Sequence, residues 1–145
     1  MSDPVRETII VDASADTVLS TVADVAAYPE WQPEITAVEV VDTGDDGRAT
    51  KAHFVIDAKL MTVSCTLVYT YDDAGMHWQL VEGDGLTRND GSYLIDDLGD
   101  GRTELTYVLD VEPTMSVPAV LRRQIAKRIV DGALQGAKLR AEGAA

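Results

Sequence analysis

Val5–Val41 reads VRETIIVDASADTVLSTVADVAAYPEWQPEITAVEVV, and its reading decides the fold. Val5–Val11 is short and rich in β-formers, and Asp12-Ala13-Ser14 stops it. Ser14 is a good helix N-cap, and Asp16 stands in the first turn, where the helix dipole favours a carboxylate. Val18, Val22 and Val25 then recur at three to four residues, which predicts a helix over 15–25. Pro29 and Pro33 prevent its continuation, with room for a brief second helical turn between them. Thr36 resumes extended sequence.

Outward from there the chain is punctuated by turn chemistry. Asp42–Gly47 (DTGDDG), Asp72–Gly75 (DDAG), Glu82–Gly85 (EGDG) and Leu98–Gly101 (LGDG) are hairpin signals. They divide the sequence into strands near 36–42, 48–57, 60–71, 76–82, 86–96 and 102–111. Asp57-Ala58-Lys59 reads as a tight turn or a bulge. Alternation supports the strands. Ala52, Phe54 and Ile56 share one parity; so do Met61, Val63, Cys65, Leu67, Tyr69 and Tyr71, and so do Thr103, Leu105, Tyr107, Leu109 and Val111. One apolar and one wet face is the pattern of an antiparallel sheet covered on one side. The 60–71 strand would run about 40 Å, long enough to twist and curl.

Pro118 fits the first turn of a closing helix over 119–141. Its stripe is Leu121, Ile125 and Ile129, widened by Val130, Ala133, Leu134 and Ala137. Gly132 and Gly136 continue the Leu121 row, each costing about 1 kcal/mol of helix propensity. Close approach to the sheet, or space for a guest, would compensate. A curved sheet folded around this helix leaves few ways to build a core, and a hollow can remain between the two.

Composition bounds the rest. The chain has 145 residues, which predicts one domain over 1–145. Twenty-five acidic residues against 12 basic give a net charge of −13. Such a surface repels phosphate backbones and anionic lipid, so nucleic acid is a poor partner. Cys65 is the only cysteine, no intrachain disulfide is possible, and no oxidising compartment is needed. Met1-Ser2-Asp3-Pro4 lacks the basic start and apolar run of a signal peptide. Leu60–Tyr71 is the longest charge-free apolar stretch, 12 residues, too short to span a membrane. A cytoplasmic, soluble monomer or homodimer without stable membrane insertion is the expectation.

The pattern Ile9–Val18 (IIVDASADTV), Val22-Ala23-Asp24, Tyr28–Trp31 (YPEW) and Pro33-Glu34-Ile35 resembles the opening of START-like proteins. These form the SRPBCC superfamily, and the likeness is to its polyketide cyclase/dehydrase and lipid-transport branch. Gly91–Ile95 and Asp100–Leu105 are similar to the family's penultimate hairpin. The resemblance implies an α+β helix-grip fold: a seven-stranded antiparallel sheet curled around the C-terminal helix, with two small helices after the first strand. It also implies an apolar ligand held between sheet and helix.

Catalysis leaves little trace in the residues. His53 and His77 fall on the outer parity, no His/Cys/carboxylate cluster has zinc spacing, and no serine lies in a G-x-S-x-G context. Gly83-Asp84-Gly85 begins like a dinucleotide fingerprint but continues to Arg88 with no helix, so no cofactor is implied, and no metal. Cys65 reads as a buried, inert thiol. The aromatics say more. Tyr69, Tyr71, Tyr93 and Tyr107 carry inward parity, and Trp78 shares that of Met76 and Leu80. Buried phenols need hydrogen-bond partners, which a wet or ligand-filled cavity supplies, unless each sits near a strand end and reaches solvent. Asn89 points inward to orient a ligand, or outward if a bulge at Gly91 flips it, Arg88 then changing face too. Trp31 closes one end of the hollow, as a plug or as a ligand contact. The ligand-contact candidates are thus Trp31, Phe54, Tyr69, Tyr71, Trp78, Asn89, Tyr93, Tyr107, Leu121, Ile125 and Ile129. The leading expectation is a carrier of a small hydrophobic molecule, lipid-like or aromatic and polycyclic. A polyketide aromatase/cyclase or dehydratase is the alternative, with Tyr93 and Arg88 as its proton-transfer candidates, and a protein-interaction module with a vestigial pocket is the third.

Overall fold

Seven antiparallel strands curve around one long helix. The computed structural model describes residues 4–57 and 61–144. β1 (Val5–Val11) leads into α1 (Ala15–Ala23), a 3₁₀ turn (Val25–Ala27) and α2 (Tyr28–Trp31). Then follow β2 (Ile35–Thr43), β3 (Ala49–Asp57), β4 (Thr62–Asp72), β5 (Gly75–Asp84), β6 (Leu86–Gly99), β7 (Arg102–Pro113) and α3 (Ala119–Ala144). The sheet order is β1-β7-β6-β5-β4-β3-β2, so six strands follow one another as hairpins and β1 closes onto the last of them.

The first helix stops at Ala23, two residues before the predicted end. Asp24 leaves the helical region (φ −80°, ψ 71°), and Pro29 then sits in the first turn of α2. Ser14 caps α1 as its sequence indicates, its Oγ accepting from the Thr17 amide at 3.2 Å. The strands run longer than the turn signals mark: β5 reaches Asp84 and β6 reaches Gly99. Leu60 and the Ala58-Lys59 part of the β3–β4 junction lie outside the described residues.

Curvature comes from interruptions of register. β2 shifts against β3 between Ile35 and Ala37 and again near Asp42; β4 shifts against β5 at Thr66/Leu67; β6 shifts against β7 between Leu86 and Arg88. β5 and β6 pair only over Gly75–Trp78 and Gly91–Leu94. Beyond that they splay, and the Asp90 side chain takes the Leu80 amide at 3.1 Å.

The concave face and α3 enclose the core. α3 buries Ala126, Val130, Ala133, Leu134, Ala137 and Ala141, a row weighted to its C-terminal half. There the backbones meet closely. A Cβ on Gly136 would come within 2.8 Å of the Trp31 ring and strike the Trp31 carbonyl, so this glycine is required by close approach. The N-terminal half stands off: Val120 is 72% and Leu121 36% exposed. Leu121 therefore belongs to the solvent side, a correction to the predicted stripe.

Candidate functional site: a cavity between sheet and helix

Where α3 stands off, a cavity of about 110 Å³ remains between the concave face and the helix. One water needs roughly a tenth of that volume. Its inner wall is a belt of aromatic rings across five strands and α2. Tyr28 stacks on Phe54 at 6.1 Å, Phe54 meets Tyr69 at 6.5 Å, and Tyr69 meets Trp78 at 6.1 Å. Trp78 then contacts Tyr93 and Tyr107, both at 5.5 Å, and these two lie 4.7 Å apart. Alternation alone puts the rings on one face, and Gly91 makes the stacking possible: a Cβ there would lie 2.6 Å from the Trp78 ring. Ile125 and Ile129 of α3 form the opposite wall, and Met61, Leu86, Pro113 and Val117 lie among the lining residues of the strands and the β7–α3 connector.

Few polar groups interrupt this lining. Asn89 is buried and inward, because the register shift falls between Leu86 and Arg88 rather than at Gly91. Its Oδ1 accepts from Trp78 Nε1 at 3.3 Å and its Nδ2 donates to Cys65 Sγ at 3.8 Å. Gln32, at the end of α2, is buried with Nε2 lacking a hydrogen-bond partner. Glu34 and Arg122 also line the cavity. Burial lifts the phenols of Tyr28, Tyr69, Tyr93 and Tyr107 well above their ordinary range, with smaller contributions from neighbouring groups, the Glu34 carboxylate among those acting on Tyr107. Burial also pushes the Cys65 thiol up to about 11, against a hydrogen bond from Asn89 that lowers it. These groups stay neutral at ordinary pH, and the site can hold apolar matter while offering a few oriented dipoles.

The structure brings Phe54, Tyr69, Trp78, Asn89, Tyr93, Tyr107, Ile125 and Ile129 to the cavity wall. Three other predicted contacts stand elsewhere. Trp31 is buried behind the wall, edge-on to Tyr28 at 5.2 Å and packed on Gly136. Tyr71 lies at the far end of β4, its hydroxyl donating to the Ala49 carbonyl at 2.6 Å and Arg48 over its ring at 5.4 Å. Leu121 is on the outside of the helix. Arg88, a proton-transfer candidate, turns outward to Asp110 (3.6 Å) and Glu112 (3.4 Å). The aromatic, polar and charged lining residues missed by sequence reasoning are Tyr28, Gln32, Glu34 and Arg122. The first three flank the prolines that break the helix, and the non-periodic turn gave no parity from which to read their direction.

The outer face holds one arrangement that spacing did not suggest. His77 Nδ1 lies 2.7 Å from Ser92 Oγ and its Nε2 lies 2.9 Å from Asp72 Oδ1. Ser92 is held in ladder pairing on both sides, to His77 and to Val108, so the strand leaves no pair of free amides to stabilise an oxyanion. The group staples β5 to β6 and to the β4–β5 turn, where Asp72 also accepts from the Ala74 amide. Among the described residues no cluster of His, Cys, Asp and Glu could hold a metal ion, and no helix is long and apolar enough to cross a membrane.

The geometry has relatives. A START superfamily protein from Mycobacterium smegmatis superposes with a TM-score of 0.88 at 27% identity, over 98% of this chain and 99% of that one. The ZhuI aromatase/cyclase from Streptomyces sp. R1128 gives 0.79 at 19% identity, covering 98% and 94%. A STAR-related lipid transfer protein fragment from Xanthomonas axonopodis gives 0.71 at 19%, covering 95% and 85%. At such identities the last two speak for the fold alone. No curated protein matches in sequence. The family model described as polyketide cyclase / dehydrase and lipid transport matches residues 4–142, and to that family this chain belongs.

Proposed function

We propose that this protein binds a small hydrophobic molecule, lipid-like or aromatic, in the cavity between its sheet and α3. The observation that carries the reading is the wall itself. Aromatic rings and aliphatic side chains enclose an open volume that ordinary core packing would fill. Burying apolar ligand surface there contributes about 25 cal/mol per Å², with Asn89, Gln32 and the phenols setting orientation. Residues 1–145 act as one domain in this reading, in the cytoplasm, where a lone buried thiol needs no protection. A cavity of this kind also weighs against a vestigial pocket.

Native mass spectrometry of gently purified protein, with a thermal-shift panel of fatty acids, quinones and polyketides, tests it. Bound mass or a rise in Tm with one ligand class is expected, about 2.7 kcal/mol of stabilisation at a hundredfold excess over Kd. An empty protein that no member of the panel stabilises would sink the proposal.

A second reading, a cyclase or dehydratase, is favoured by one observation: Glu34 places a carboxylate at the cavity, near the Tyr107 phenol. Turnover of a poly-β-keto substrate that Glu34→Gln abolishes while binding persists would establish it; binding without turnover would leave the carrier.

A further inference from the structure

The cavity's two charged lining residues are unlike and stand apart. Glu34 is half-buried, its Oε1 3.6 Å from where a Cβ on Gly132 would be. Arg122 lies ten residues earlier on α3, about 15 Å down the helix axis, beside the connector residues Pro113 and Val117. It is half-buried and lines an otherwise oily wall. Arg88, Lys127, Lys138 and Arg140 each pair with a carboxylate, but among the described residues Arg122 has no ion-pair partner.

The charge around it is also unlike the rest of the molecule. Residues 113–130 contain Arg122, Arg123, Lys127 and Arg128 and no acid, leaving eight basic and 25 acidic residues in the rest of the chain. A net-negative protein thus carries an acid-free stretch where the connector enters α3, and of its four cations Arg122 is the one that lines the cavity. Such local fields concentrate the opposite charge at an opening. A partly desolvated guanidinium gains most from a planar, bidentate anion.

We infer that the occupant is an anionic amphiphile, its head group at Arg122 and its apolar body running inward along Ile125 and Ile129. This rests on the reading of the cavity as a binding site. Glu34 fixes the direction, since a carboxylate lining the cavity beside Gly132 repels an anionic head from that end. Carboxylate and phosphate heads share the chemistry.

The test compares ligands that differ only in the head. Affinities for octanoate, octyl phosphate, octanol and octylammonium, and for anthracene-2-carboxylate and anthracene-2-methanol, are measured on the full chain by Trp78 fluorescence and calorimetry. Anions should bind about tenfold tighter than the matching alcohols. Arg122→Gln, its fold checked by circular dichroism, should erase that advantage. Arg128→Gln, a cation on the same helix away from the cavity wall, should retain it. Whichever of octanoate and octyl phosphate binds tighter names the head group, and either ranking supports the inference. Alcohols or the ammonium binding as well as the anions, or an anion preference that survives Arg122→Gln, would overturn it while leaving the cavity reading in place. Binding of no compound would overturn both.

Discussion

Gly132 and Gly136 stand one turn apart on α3 and meet opposite surroundings. At Gly136 a methyl group would collide with the Trp31 ring and backbone, and neither can yield without moving α2. At Gly132 the nearest atom would be Glu34 Oε1 at 3.6 Å, an ordinary contact. Gly136→Ala is therefore expected to cost about 1–3 kcal/mol through overpacking, despite its better helix propensity. Gly132→Ala should instead gain about 0.5–1 kcal/mol from that propensity. Urea denaturation of the two variants decides it; equal effects would mean that the helix does not approach α2 as described.

Asp72 makes the second residue-level case. The hydrogen bond from His77, helped by the Ala74 and Gly75 amides, holds its carboxyl below the ordinary value despite some desolvation. A lowered carboxyl pKa supports the fold above the unfolded value, and that support is lost as pH falls through the folded one. His77→Ala should move Asp72 back up toward its ordinary value, read by NMR titration of the side-chain carboxyl. An Asp72 titration unchanged by the substitution would refute the link.

At the scale of elements, β5 and β6 form the hinge of the sheet. They pair for four residues and then splay, and the aromatic belt crosses them where Trp78 lies over Gly91. Gly91→Val has no room for its side chain against either the Trp78 ring or the Val108 carbonyl. It should displace Trp78, shift its fluorescence and weaken binding of any cavity ligand, with the fold destabilised by more than about 1 kcal/mol. Unaltered Trp78 emission in that variant, measured with Trp31 replaced by Phe, would count against the belt.

For the molecule as a whole, the buried phenols and thiol tie stability to alkaline pH. Unfolded cysteine and tyrosine ionise near pH 8.5 and 10. In the folded protein Cys65 sits near 11, and Tyr28, Tyr69, Tyr93 and Tyr107 are raised above their ordinary value. Above about pH 9 the unfolded chain loses protons that the folded one keeps. Stability should therefore hold from pH 7 to about 8.5 and fall beyond it, by up to about 1.4 kcal/mol per pH unit for each group involved. Absorbance at 295 nm should show these phenols ionising only as the protein unfolds. A normal tyrosine titration with circular dichroism intact would disprove their burial.

The order of elements was legible in the residues because it depends on local chemistry. Ser14, the paired prolines, the Gly/Asp turns and strict alternation each act over a few positions, and with the family resemblance they specified a curled antiparallel sheet around a C-terminal helix. The same alternation put Phe54, Tyr69, Trp78, Tyr93 and Tyr107 on one face. Tertiary structure decided where that face opens. α3 seats tightly at Gly136 and stands off near Leu121, so Trp31 is buried behind the cavity and Leu121 is left outside it. It also turned Arg88 outward and brought Gln32, Glu34 and Arg122 to the cavity wall. Those placements depend on register shifts and on how far a helix stands from a sheet, distances set by side chains far apart in the chain, which no local pattern records.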